Sequence, residues 1–175
     1  MLKDTPKDLM YVYLAGIMLG GDMQKPTVDW RYKVRKTYSN WKGKGMYEIC
    51  FLDPWNGEVN AEIDPEGVTN PLVNSKTIFA GDKEAIKKAN LIVANFNQYD
   101  SKRASVGTYF ECGMALAWNK PLVLIVPEDE FERWSKHPFT SQAVAIYKSV
   151  DEFLESKILN WFYKRTNHAI YEWEL

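Results

Sequence analysis

The apolar residues of this chain fall into short runs that alternate with segments of helical spacing. Residues 10–15 form an apolar and aromatic run closed by Gly16 and then Gly20-Gly21, which predicts a buried first strand ending in a loop. After Thr27, Trp30, Val34, Tyr38 and Trp41 recur at helical steps with Arg and Lys between them, so an amphipathic helix capped by Thr27 is expected. Residues 46–52 predict a second strand. It ends in Asp53-Pro54-Trp55-Asn56-Gly57, turn chemistry that opens an irregular stretch to about Ser75. A loop that long inside a compact domain points to function or to disorder. Asp82 is expected to start a short helix through Ala89, followed by a strand over 91–96, a helix over 107–118 and the most hydrophobic strand over 122–126. Residues 149–164 carry Val150, Phe153, Leu154, Ile158, Trp161 and Phe162 at helical spacing, ahead of a tail with Tyr171 and Trp173.

Strands without polar alternation, separated by helices, indicate an α/β fold: one mostly parallel sheet with helices on both sides. Ligands of such sheets sit beyond the carboxyl ends of the strands, so the loops after Ala15, Leu52, Phe96 and Val126 should share one rim. A length of 175 residues suits a single domain over 1–175.

Charge narrows the partners. The net charge of −1 opposes both a nucleic-acid polymer and an anionic membrane surface as ligand, and the longest hydrophobic stretch, 121–127, is far too short to span a bilayer. Cys50 and Cys112 lie in apolar segments, which predicts reduced thiols and a cytoplasmic compartment. Seven Trp and ten Tyr suit a pocket that stacks flat rings or a well-filled subunit interface.

Several chemistries drop out. His137 and His168 are the only histidines, and neither has a partner at ligand spacing, so no metal is expected. No phosphate-binding Gly-Lys-Ser/Thr loop, nucleophile elbow or dinucleotide fingerprint occurs, and no cofactor is expected. Carboxylates are left as the catalytic groups. In Ser105-Val-Gly107-Thr108-Tyr-Phe-Glu111-Cys-Gly113-Met-Ala115, a glycine-containing loop runs into a helix carrying an acid. Thr108 and Glu111 have the spacing of a capping box, in which the carboxylate only satisfies free amides. The same position at a helix N-terminus also favours the charged carboxylate that a nucleophile needs. Asp82 likewise reads as an N-cap or as a functional acid, and Tyr13 as a core aromatic whose hydroxyl reaches the end of the sheet.

Three motifs in order, Tyr13-Leu-Ala-Gly16, Asp82-x-x-x-Ile86-x-x-x-Asn90 and Ser105-x-Gly107-x-x-x-Glu111-x-Gly113-x-Ala115, resemble the nucleoside 2-deoxyribosyltransferase superfamily, which includes deoxynucleoside 5'-monophosphate N-glycosidases. The resemblance spans most of 11–150. It implies a flavodoxin-like (Rossmann-like) sheet, a place in nucleotide salvage, and transfer of a 2'-deoxyribosyl group from a small-molecule nucleoside or nucleotide to a free nucleobase. Glu111 would be the nucleophile, Tyr13 would position it, and Asp82 would bind or protonate the base. Gly16, Ser105 and Gly107 would contact substrate, and Trp55 and Asn56 would stack and read the base.

Ser105 stands where the monophosphate glycosidases carry a phosphate-binding serine, whereas Ile17 and Leu19 replace the Ser and Arg those enzymes place after the first-strand glycine. Lys102 and Arg103 are alternative sources of charge. Nucleoside and 5'-monophosphate therefore both stand as substrates, and transfer and hydrolysis as outcomes. The segment 137–142 falls where the family donates a residue to its neighbour's sugar pocket, with Thr140 or Ser141 in that place, which implies a homo-oligomer with shared active sites. The reading from another class is a noncatalytic nucleotide-binding protein in which Glu111 is only a cap.

Overall fold

The computed structural model describes residues 8–18, 24–39, 47–54, 63–64, 67–68, 75–97 and 105–168. Strand β1 (Asp8–Gly16) is followed by helix α1 (Gln24–Ser39), β2 (Tyr47–Leu52), a short antiparallel hairpin of β3 (Ile63–Asp64) and β4 (Gly67–Val68), and α2 (Ser75–Lys88). Then come β5 (Leu91–Asn95), α3 (Val106–Ala117), β6 (Leu122–Ile125), α4 (Phe131–Lys136), β7 (Ala145–Tyr147), α5 (Val150–Ser156) and α6 (Ile158–His168). The main sheet has the order β2-β1-β5-β6-β7 with every pair parallel. Counting only its own strands this is the flavodoxin-like order 2-1-3-4-5, whose direction reverses between β1 and β5 and opens a crevice there.

Alternation along β1 sorts its side chains onto two cores. Met10, Val12 and Leu14 face Trp30, Val34 and Tyr38 of α1 together with Phe153, Leu159 and Tyr163 of α5 and α6. Tyr13 and Ala15 face the opposite layer, with Ile86 and Ala89 of the α2 region, Cys112 and Ala115 of α3 and Trp134 of α4. Both faces of the sheet are therefore covered, which is why β5 and β6 are buried at every position.

Three boundaries differ from the sequence expectation. Helix α1 begins at Gln24, before Thr27, because Pro26 is tolerated in a first turn; Thr27 is buried inside the helix and is not its N-cap. The helix expected from Asp82 begins at Ser75, with Gly81 inside it. The last helical stretch is two helices, broken where Lys157 adopts φ 52° at the end of α5. Ser149 caps α5 by accepting from the Glu152 amide, while the Glu152 carboxylate accepts from the Lys148 amide at 2.7 Å. No described helix is long and apolar enough to cross a membrane.

Phe153 is fully buried and meets the Tyr147 ring edge-on at 5.8 Å. Phe153→Ala is expected to lower unfolding stability by about 3–5 kcal/mol, through lost transfer energy and the cavity left behind. Denaturant titration showing a loss below about 1 kcal/mol would contradict the packing of α5 onto the sheet.

Candidate active site

The crevice between β1 and β5 collects the acids. Tyr13 is fully buried three residues before the end of β1, and its hydroxyl donates to Glu111 Oε1 at 2.6 Å. Asp82 of α2 engages the same hydroxyl. Three elements distant in sequence thus place Tyr13, Asp82 and Glu111 together. Burial pushes the Tyr13 hydroxyl far above its ordinary range, and the charges of Glu111 and Asp82 push it further, so it remains a proton donor. One hydroxyl proton serves one carboxylate at a time. Burial also raises Asp82 above the usual carboxylate range, opposed by the Tyr13 hydrogen bond and by the Arg31 charge.

Helix periodicity explains how both acids reach this point. Asp82 lies on the stripe of Ile86 and Ala89, which packs against the sheet, one turn nearer the carboxyl rim. It is therefore not an N-cap; α2 extends seven residues before it. Glu111 lies beside the buried stripe of Thr108, Cys112 and Ala115 on α3. The N-cap of α3 is Ser105, and the first turn contains no acid. Neither the capping box nor the helix-terminus argument applies to Glu111, since the terminal field falls off within the first turn. Helical side chains lean toward the N-terminus, so Glu111 still points back to the rim from the second turn. Cys112, buried behind it, is pushed upward by burial and by the Glu111 charge, and it is an inert thiol.

The other expected residues divide. Gly16 ends β1 where a Cβ would meet Trp30 Cζ2 at 3.0 Å, Arg31 Nη2 at 3.3 Å and the Asn95 carbonyl at 3.3 Å, so a larger residue there would press on these neighbours and close packing favours glycine. Ser105 is buried at the start of α3, and its Oγ has no hydrogen-bond partner among the described residues. Gly107 is exposed in the first turn, with open space around its Cα. Thr140 lines a cleft of about 360 Å³ with Tyr109, Arg133, Trp134 and His137, whose described lining includes none of Tyr13, Asp82 and Glu111. The Thr140 hydroxyl donates to the Trp134 carbonyl, and that of Ser141 to the Pro138 carbonyl at 3.2 Å. Trp55, Asn56, Leu19, Lys102 and Arg103 lie outside the described residues.

Sequence reasoning missed Asn95, Arg31 and Asp53. Asn95, opposite Gly16 at the end of β5, is buried; its Oδ1 accepts from the Asn97 amide at 3.0 Å while Nδ2 has no partner among the described residues. Arg31 and Asp53 form a buried ion pair beside the Gly16 turn. A polar residue ending an apolar strand was the available signal for Asn95; the other two gave none.

The family model for nucleoside 2-deoxyribosyltransferase matches residues 12–143. Among curated protein sequences none is significantly similar to the chain. Solved structures share the fold, two of them as follows. The CMP N-glycosidase BcmB of Clostridium botulinum is 18% identical over 86% of this chain and 98% of its own, with a TM-score of 0.52. The 2-desoxiribosyltransferase from Leishmania mexicana is 17% identical over 87% of this chain and 97% of its own, with a TM-score of 0.53.

Proposed function

The chain belongs to the nucleoside 2-deoxyribosyltransferase family, and from that premise we propose that it cleaves the N-glycosidic bond of a 2'-deoxyribonucleoside and transfers the sugar to another nucleobase. The observation that carries this reading is the 2.6 Å hydrogen bond from the Tyr13 hydroxyl to Glu111, with Asp82 at the same hydroxyl. Tyr13 orients the Glu111 carboxylate, and a Glu111 oxygen attacks C1' of the sugar. As the Glu111 oxygen bonds to C1', the C1'–N bond breaks and its electron pair goes to the base, which takes a proton from Asp82. Attack by a nitrogen of a second base then displaces the carboxylate and returns its proton to Asp82. Such chemistry needs one charged carboxylate and one carboxylic acid, and burial raises Asp82 toward the acid form.

A second reading is hydrolysis of a 2'-deoxynucleoside 5'-monophosphate. It is favoured by the buried Ser105 hydroxyl, without a hydrogen-bond partner among the described residues, at the N-terminus of α3, where helix amides favour an anion. Incubating the protein with a deoxynucleoside and a different free base should yield a new deoxynucleoside by chromatography. Base release without exchange, from nucleosides or monophosphates, would replace transfer by hydrolysis; no release from either would overturn both.

The proposed enzyme is a homo-oligomer with shared sites. Supporting this, α3 presents Val106, Phe110 and Gly113 to solvent on the side away from the sheet, and Phe139, beside Thr140, is 72% exposed. Closed symmetric association would cover these groups.

A further inference from the structure

Beside the acids lies a buried cation that the reaction as written does not use. Arg31, on the sheet-facing side of α1, is fully buried. Its Nη2 donates to the Gly16 carbonyl at 2.7 Å, and its Nη1 donates to the carbonyls of Thr27 and, at 3.5 Å, Ile17. Its Nε lies 3.3 Å from Asp53 Oδ1, and the other oxygen of Asp53 lies 3.3 Å from Arg35 Nη1. A guanidinium taken fully out of water demands such partners. Its planar fork also explains why the residue is arginine: one ammonium does not present fixed donors in three directions.

Those partners come from the end of β1, the first turn of α1 and the residue that leaves β2, and two of these belong to the rim on which the candidate site stands. Tyr13 is three residues upstream of the carbonyl that Arg31 holds.

We propose that Arg31 is a positioning residue of this site: its buried guanidinium braces the carboxyl end of β1 against the residue leaving β2 and supplies a fixed positive charge to Asp82. Among the described residues, the groups facing Asp82 are the Tyr13 hydroxyl of β1 and, beyond it, the Glu111 carboxylate of α3 that accepts from the same hydroxyl. The Tyr13 hydrogen bond and, after it, the Arg31 charge oppose the rise that burial imposes on Asp82.

The charge and the brace are read separately. Carboxyl carbon NMR of the whole chain, with the Asp82 signal assigned through Asp82→Asn, measures the midpoint of Asp82 without any turnover. Arg31→Gln should move that midpoint to higher pH, and Arg31→Lys, which keeps the charge, should restore it. Arg31→Lys should nonetheless lower kcat of base release about tenfold with KM little changed, because geometry rather than charge is lost. An Asp82 midpoint identical in wild type and folded Arg31→Gln would overturn the electrostatic role, and wild-type kcat in Arg31→Lys would overturn the brace. If Arg31→Gln does not fold, Arg31→Lys decides alone: a midpoint displaced despite the retained charge overturns the proposal. The kinetic arm rests on the reaction proposed above. A wild-type chain that releases no base would overturn that reaction, while the NMR arm still decides the role of Arg31.

Discussion

Glu111→Gln is expected to lower base release by roughly 10⁴-fold or more, the scale seen when a nucleophile is removed from an otherwise intact site. The substitution is nearly isosteric, and the amide oxygen still accepts the proton that Tyr13 gives to Glu111 at 2.6 Å. Stability should therefore change by less than about 1 kcal/mol, since the buried Tyr13 hydroxyl keeps an acceptor. The contrast between lost turnover and kept stability separates a nucleophile from a cap. A cap would show the reverse, because its removal costs about 1 kcal/mol and touches no chemistry. Mass spectrometry of acid-quenched wild-type protein should show a sugar adduct that Glu111→Gln lacks. Turnover in Glu111→Gln within tenfold of wild type would remove the covalent mechanism.

Asp82→Asn should cost about 10²–10⁴-fold in kcat/KM, the usual contribution of a positioned general acid. Its pH dependence carries the sharper test. Burial raises Asp82, so its acid form persists above the ordinary carboxylate midpoint of about 3.9. A step that needs the acid form is at full rate below the Asp82 midpoint of the folded protein and declines as pH rises through it. The wild-type profile should show this decline, and Asp82→Asn should flatten it while leaving the residual rate low. A decline that survives in Asp82→Asn with the same midpoint belongs to another group and would remove Asp82 as the acid.

The parallel sheet was legible because its signal is local. Runs such as 91–96 and 122–126 have no polar alternation, and burial on both faces is the physical reason. The start of α2 was not legible because Gly81 reads as punctuation and Asp82 after it as a cap, whereas packing of Ile86 and Ala89 carries the helix through the glycine. Thr108-x-x-Glu111 and Ser149-x-x-Glu152 show the same spacing, yet only the second caps a helix. The difference lies in where each helix begins, Val106 in one case and Val150 in the other, which four residues alone do not determine. The three acid and hydroxyl groups were found through motif order, since Tyr13 and Glu111 stand 98 residues apart and share no periodicity. Arg31 was hidden for a related reason. A cation next to Trp30 on an amphipathic helix looks solvated, and its partner Asp53 lies beyond another strand.

That separation of 98 residues also fixes when the site comes into being as the chain is synthesised. Strand β1 leaves the ribosome first, but its neighbours are β2 on one side and β5 on the other, so the crevice has no second wall until residue 95 has emerged. Glu111 follows later still, on a helix whose buried stripe has nothing to cover until β5 and β6 are paired. Contacts of such long span form slowly, because much of the chain must be ordered before any of them is made. A partly made chain therefore holds Tyr13 without its partner, and the grouping of Tyr13, Asp82 and Glu111 exists only once the central strands have closed around it.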